Sequence, residues 1–177
     1  MATMGERAEA GDGARRLLGP GFPGDIGEAS AELSAALAAY GQDPSAYVDA
    51  LGALCGARLL VPVVAVLGEV ELDEHGLAHD KSSDMAAVLL TGADGRRALL
   101  SFSGTASMRA WDPGARPVPV TARHAALSAV QEQAAALLVD LAGPVTLAVE
   151  GADLEALAAG WTLARVGDGA GWVRPLD

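Results

Sequence analysis

The chain has 177 residues, a length that suits one domain with or without tails. Hydrophobic residues supply 51% and charged residues 20%, which excludes a wholly disordered chain, and the glycines lack the three-residue period of a collagen. Acids outnumber bases 23 to 12 for a formal net charge of −11, a sign that argues against a general nucleic-acid binder.

Cys55 is the single cysteine, so neither an intrachain disulfide nor a Cys-rich metal site is available. That usage suits a reducing compartment. Met1 to Gly13 lacks the apolar run of a secretory signal. The longest apolar stretch, Leu59 to Gly68, is interrupted by Pro62 and falls well short of the ~20 residues of a spanning helix. The expectation is a soluble, cytoplasmic protein.

Residues 1–24 read as a flexible lead-in. They end in Gly19-Pro20-Gly21-Phe22-Pro23-Gly24, a literal G-x-G-x-x-G. The dinucleotide reading needs a preceding strand, and here the preceding residues are polar and two prolines remove amide donors; a Pro/Gly linker fits better. Residues 25–177 read as one folded domain. Ile26, Ala29, Leu33, Ala36, Leu37 and Tyr40 recur at helical spacing, and Gly41 is a stop. Asp43-Pro44 opens a second helix bearing Tyr47, Leu51, Leu54 and Cys55.

Leu59 to Leu72 is rich in valine and predicts a buried strand that emerges into water at Glu69 and Glu71. A polar loop, Asp73 to Asp84, leads to a strand Met85–Thr91, a turn at Asp94-Gly95 and an antiparallel return Arg96–Phe102. Ser103 caps a short helix through Trp111, and Asp112-Pro113-Gly114 turns the chain. Pro117-Val118-Pro119-Val120 fits an edge strand or polyproline II. A long helix is predicted over Ala122–Val139, a strand over Val145–Val149, a helix from Gly151, and a final hairpin of Trp161–Val166 with Trp172–Leu176. This order is not a regular βαβ alternation. It predicts an α+β single domain, a mixed, mostly antiparallel sheet with helices packed on one face.

The run Arg58-Leu59-Leu60-Val61-Pro62-Val63-Val64-Ala65 is followed by Lys81-Ser82-Ser83-Asp84-Met85-Ala86-Ala87-Val88, by Asp94-Gly95-Arg96-Arg97-Ala98-Leu99 and Phe102, and by Trp111-Asp112-Pro113-Gly114-Ala115-Arg116-Pro117-Val118-Pro119-Val120. In order and spacing this resembles the N-terminal module of the SseB (enhanced serine sensitivity) family, in particular its short single-domain bacterial members, over roughly residues 28–160. The resemblance implies a compact α/β module with no assigned enzymatic activity, cofactor or binding residue.

The residues themselves offer several candidate chemistries. Glu69, Glu71, Asp73, Glu74, His75, His79, Asp80 and Asp84 form an acidic, histidine-bearing cluster, but Gly76 and the surrounding acids favour a solvated loop over a metal site. Ser82, Ser83 and Asp84 near His79 lack a G-x-S-x-G elbow, so backbone capping is the simpler role. Cys55 falls on an apolar helix face and reads as an inert thiol. No cofactor and no metal is expected.

Charge is segregated. Residues 85–124 hold Arg96, Arg97, Arg109, Arg116 and Arg123 against Asp94 and Asp112, while the rest of the chain is strongly acidic. Arginine's planar fork suits carboxylate and phosphate; the simpler alternative is pairing within the chain, Arg109 with Asp112 or Arg116 with Glu69. Phe102 and Trp111 read as core, and Trp161 and Trp172, beside glycine-rich turns, as apolar contact anchors.

The sequence therefore points first to a non-enzymatic adaptor or regulator that binds an acidic protein partner through Arg96, Arg97 and Arg116, with Trp161 or Trp172 as anchor. The alternatives are an RNA- or translation-associated factor using the same arginines, and a ligand-binding protein or enzyme built on His79, Lys81 and Asp84.

Overall fold

A computed structural model describes residues 21–66, 84–167 and 169–175. Most of the expected lead-in, including Gly19 and Pro20, lies outside these residues, and so does the acidic loop with Glu69, Glu71, Asp73, Glu74, His75, His79, Asp80, Lys81, Ser82 and Ser83.

Helix α1, Ala31–Gln42, is opened by Ser30, whose hydroxyl accepts the Leu33 amide at 3.2 Å. It starts later than its apolar spacing predicts. Gly27 sits at φ +80° and Ile26 is 77% exposed, so the residues before Ser30 form a strap instead of a helical turn. Asp43 caps a single 3₁₀ turn, Pro44–Ala46, that runs into α2, Tyr47–Cys55. The Ser45 amide bond to Asp43 holds that carboxyl below the usual carboxylate range.

Strand β1, Arg58–Val66, is the hub of the sheet. Along one edge it pairs antiparallel with β5, Arg116–Thr121; along the other it pairs with β2, Asp84–Ala87. On that second edge, ahead of β2, Leu60 exchanges two backbone bonds of 2.8 Å with Phe102, just beyond β4, Arg97–Ser101. The expected single strand Met85–Thr91 is split at Val88. Its first half is β2, and its second half, β3 (Leu89–Thr91), pairs antiparallel with β4. Pro62 stands where β1 passes from Phe102 to β2, so its missing N–H falls at a break in the ladder.

Because both main-chain groups of Leu60 go to Phe102, the facing Leu60–Pro119 pair makes no ladder bonds. Pro119, and Pro117 two residues earlier, therefore turn their donor-less nitrogens to the outer edge of β5. The edge strand foreseen for this segment is formed, and it is poorly suited to pairing with another chain.

The predicted helix Ala122–Val139 is overturned. Helix α4 covers Ala122–Gln131; Gln133 adopts φ +55°, and Ala136–Val139 form β6. Alanine and leucine serve either structure, and here pairing decides: β6 lies parallel to β4 and antiparallel to β7, Leu147–Glu150. Helix α3, Thr105–Trp111, has Gly104 at its N-cap, not Ser103, which is recruited elsewhere. Helix α5, Gly151–Ala159, ends at Gly160 in the left-handed region, and the final hairpin is β8, Thr162–Val166, with β9, Gly169–Val173.

The fold is α+β with mostly antiparallel pairing, but the helices are not confined to one face. Leu59, Val61, Leu99, Leu137, Val139, Leu147 and Val149 face a core built with α1, α2, α4 and α5. Leu60, Leu100 and Phe102 face the other way, onto Met108 and Trp111 of α3, with the Phe102 and Trp111 rings 5.5 Å apart. Period-two alternation with both sides covered is why β1 reads as an unbroken apolar run. Among the described residues, no helix is long and apolar enough to cross a membrane.

Candidate functional site

Strands β4 and β6 run parallel, and the chain leaves both at the same end of the sheet. After β4 come Phe102, Ser103 and Gly104; after β6 comes Asp140. Asp140 is the only acid buried among the described residues, 5% exposed, and it adopts φ +58°, a region asparagine and aspartate tolerate better than most. Its Oδ1 accepts the Ser103 amide at 2.8 Å, and its Oδ2 accepts the Ser103 hydroxyl at 2.6 Å. The Ser107 hydroxyl lies 2.5 Å from Oδ1 and 3.0 Å from the Gly104 carbonyl, one proton between two acceptors. The Asp140 carbonyl accepts the Gly143 amide at 2.8 Å, closing the loop beneath the carboxylate.

Around this cluster lies a cleft of about 620 Å³. Its walls are α1 (Ser34, Leu37, Ala38, Gly41), α3 (Thr105, Ala106, Ser107, Ala110), the loop Asp140–Val145 and the strap at Gly27–Ala29. Small residues keep the walls close. A Cβ on Gly104 would stand 2.8 Å from the Ala29 nitrogen, which leaves no room for a side chain where the strap crosses α3. The strap is tied down by Arg58, which donates to the Ser103 carbonyl at 3.0 Å, the Asp25 carboxylate at 2.8 Å and the Glu28 carbonyl at 2.5 Å. The Thr105 amide also donates to the Gly27 carbonyl at 2.7 Å.

The residues singled out from sequence lie elsewhere. Arg96 and Arg97 stand at the opposite end of β4 from the cleft. Arg96 pairs with Asp94 at 2.7 Å and Glu150 at 3.3 Å, and its side chain is 61% exposed. The Arg96 side-chain bond, then its amide, lowers the Asp94 pKa. Arg97 donates to the Glu132 carbonyl. Arg116 is exposed at the start of β5 and is separated from both by β1 and the β2–β3 segment.

Trp161 is 37% exposed beyond the α5 cap. Trp172 is half-buried, its indole N–H donating to Asp153 at 2.8 Å, and the Tyr47 hydroxyl donates to the other Asp153 oxygen at 2.9 Å. That pairing ties the last hairpin to α2 and α5. Burial first, then the Asp153 bond, pushes the Tyr47 phenol far above its ordinary value of 10.0. Cys55 is half-buried, its thiol donating to the Leu51 carbonyl, and burial raises its pKa, away from thiolate chemistry. His79 and Lys81 lie outside the described residues, and Asp84 begins β2 opposite Val66. Among the described residues, no three His, Cys, Asp or Glu side chains are grouped to hold a metal.

Sequence reading missed Ser103, Ser107 and Asp140 as a cluster. The available signal was small polar residues immediately after two apolar strands, but it becomes readable only once β6 is recognised as a strand.

With the geometry in place, comparison with known families matches residues 33–156 to the SseB protein N-terminal domain. The chain belongs to the SseB family. The match runs from α1 to α5 and so contains most of the cleft walls, though the strap lies before it. No curated protein and no solved structure matches this SseB domain.

Two outcomes test these assignments. Asp140→Ala strands the Ser103 amide and hydroxyl in a buried place, while Ser107 keeps the Gly104 carbonyl as acceptor, and at about 1–3 kcal/mol for each unsatisfied group it lowers unfolding free energy in urea far more than Asp140→Asn does. Tyr47 keeps its proton in the native state, so its contribution is intact below pH 10.0 and is lost as pH rises through the raised native value. Wild-type stability therefore falls more steeply than that of Tyr47→Phe in alkaline unfolding titrations; equal slopes would remove Tyr47 from the account.

Proposed function

We propose that this SseB domain is a non-enzymatic binding module, and that its ligand site is the cleft at the ends of β4 and β6. The observation that carries the reading is the cleft itself: about 620 Å³, with an apolar floor and a few fixed polar groups around Asp140. This is the size and composition of small-molecule sites. The hydrogen bonds at Asp140 support binding over catalysis, because the carboxylate already accepts from its own chain and no histidine or lysine lines the cleft among the described residues.

A chemically varied small-molecule screen by thermal unfolding tests it. A compound held at a hundredfold excess over its Kd adds about 2.7 kcal/mol to stability. The expected result is that hits raise the Tm of the wild type but not of Ala106→Trp, which fills the cleft from an exposed helix position. Hits indifferent to Ala106→Trp, or no hits, would overturn the reading.

A second reading, contact with an acidic protein partner through Arg96 and Arg97, is favoured by the exposure of Arg96 at a hairpin tip. It expects Arg96→Glu with Arg97→Glu to abolish a salt-sensitive, nuclease-resistant interaction while the fold is kept. Unchanged binding would dismiss it, and loss of the wild-type interaction on nuclease treatment would transfer the arginines to an RNA role.

A further inference from the structure

Resting on the cleft as the binding site, we infer that its ligand is an organic ammonium: a compound with a compact apolar body and a cationic head that lodges by Asp140. Asp140 is a buried carboxylate whose contacts are all neutral: one amide and two serine hydroxyls. A buried charge ordinarily has an opposite charge beside it as well as hydrogen bonds. The nearest arginine in the network, Arg58, directs its guanidinium to the Ser103 and Glu28 carbonyls and to Asp25, not to Asp140.

The rest of the cleft has the same sign. Glu28 lines its rim, and no lysine or arginine lines it among the described residues. Carboxylates and phosphates would meet two negative groups with no compensating cation. An ammonium would supply the missing counter-charge, and Asp140 Oδ2, which accepts one serine hydroxyl, keeps capacity for another donor. A bare divalent cation fits less well, since it prefers several oxygen ligands and has no use for the walls of Leu37, Ala38, Ala110, Pro144 and Val145. Those walls fit the apolar body.

Three probes of one shape separate the possibilities: cyclohexylammonium, cyclohexylmethanol and cyclohexanecarboxylate, each titrated into the full chain and followed by amide chemical shifts. Cyclohexylammonium is expected to shift Ser103–Ser107 and Asp140–Val145 and to saturate at a concentration about tenfold below the alcohol, the ratio expected of one charge-assisted hydrogen bond. The carboxylate is expected to leave those amides unmoved. Asp140→Asn, which keeps the shape and removes the charge, brings the ammonium to parity with the alcohol. Glu28→Gln, at an exposed position that cannot unfold the domain, weakens it by a smaller factor that vanishes at high salt. If the alcohol or carboxylate binds the same amides as tightly as the ammonium, the cleft stands and the ammonium assignment falls. If none of the three moves those amides, both fall.

Discussion

Two backbone hydrogen bonds between Leu60 and Phe102, with Val88 bridging from the Pro62 carbonyl to the Leu100 amide beside them, join this domain's two groups of strands. On one side of that seam, β1 carries β5 and β2; on the other, β4 carries β3 and β6. The seam sets which face each neighbouring side chain takes. Leu59 and Val61 enter the core beneath four helices, while Leu60 and Phe102 enter the smaller core beneath α3. It also places Arg58 and Ser103 side by side, and from that pair the cleft is built. Ser103 reaches Asp140 across the parallel β4–β6 pair, and Arg58 ties the strap over the far wall.

The cleft follows from a topological accident of the crossover. Between β4 and β6 the chain makes α3, then β5 on the opposite edge, then α4, before returning parallel to β4. A parallel pair sends both exits to one end of the sheet, where the loops diverge and leave a crevice. Here the crevice is narrowed by glycines at close approaches and bounded by α1 and the strap. The same geometry sends the arginine-bearing β3–β4 turn to the other end, so the charge segregation seen along the chain does not coincide with the cleft. Arg96 instead satisfies Asp94 and Glu150 on the surface.

Much of the fold was legible in the residues. The Asp94-Gly95 turn, the Asp43-Pro44 start, the proline-marked edge strand and the Gly151 helix all rest on local chemistry, where a cap, a fixed φ or a missing donor acts within a few residues. The failures are where local chemistry is neutral. Ala134 to Val139 suits a helix or a strand, and only the partners on β4 and β7 make it a strand. Ser103 is as good an N-cap as any serine, but Asp140, far along the chain, offers its hydroxyl a buried acceptor. Trp172 read as a free anchor, but Asp153 claims its indole N–H. The candidate site was missed for the same reason: its members are separated by an entire crossover, and no spacing in the sequence marks them.

The sequence by itself determined the α+β class, the helix starts at Asp43-Pro44 and Gly151, the tight turns, the blunted β5 edge and the membership implied by its ordered motifs, because each rests on contacts between near neighbours or on the absence of a donor. Only the tertiary structure decided that Ala136–Val139 is a strand, that helices cover both faces, and that Ser103, Ser107 and Asp140 meet. Those facts depend on pairing between distant segments, and the free energy of such pairing belongs to the assembled sheet, not to any one stretch of chain.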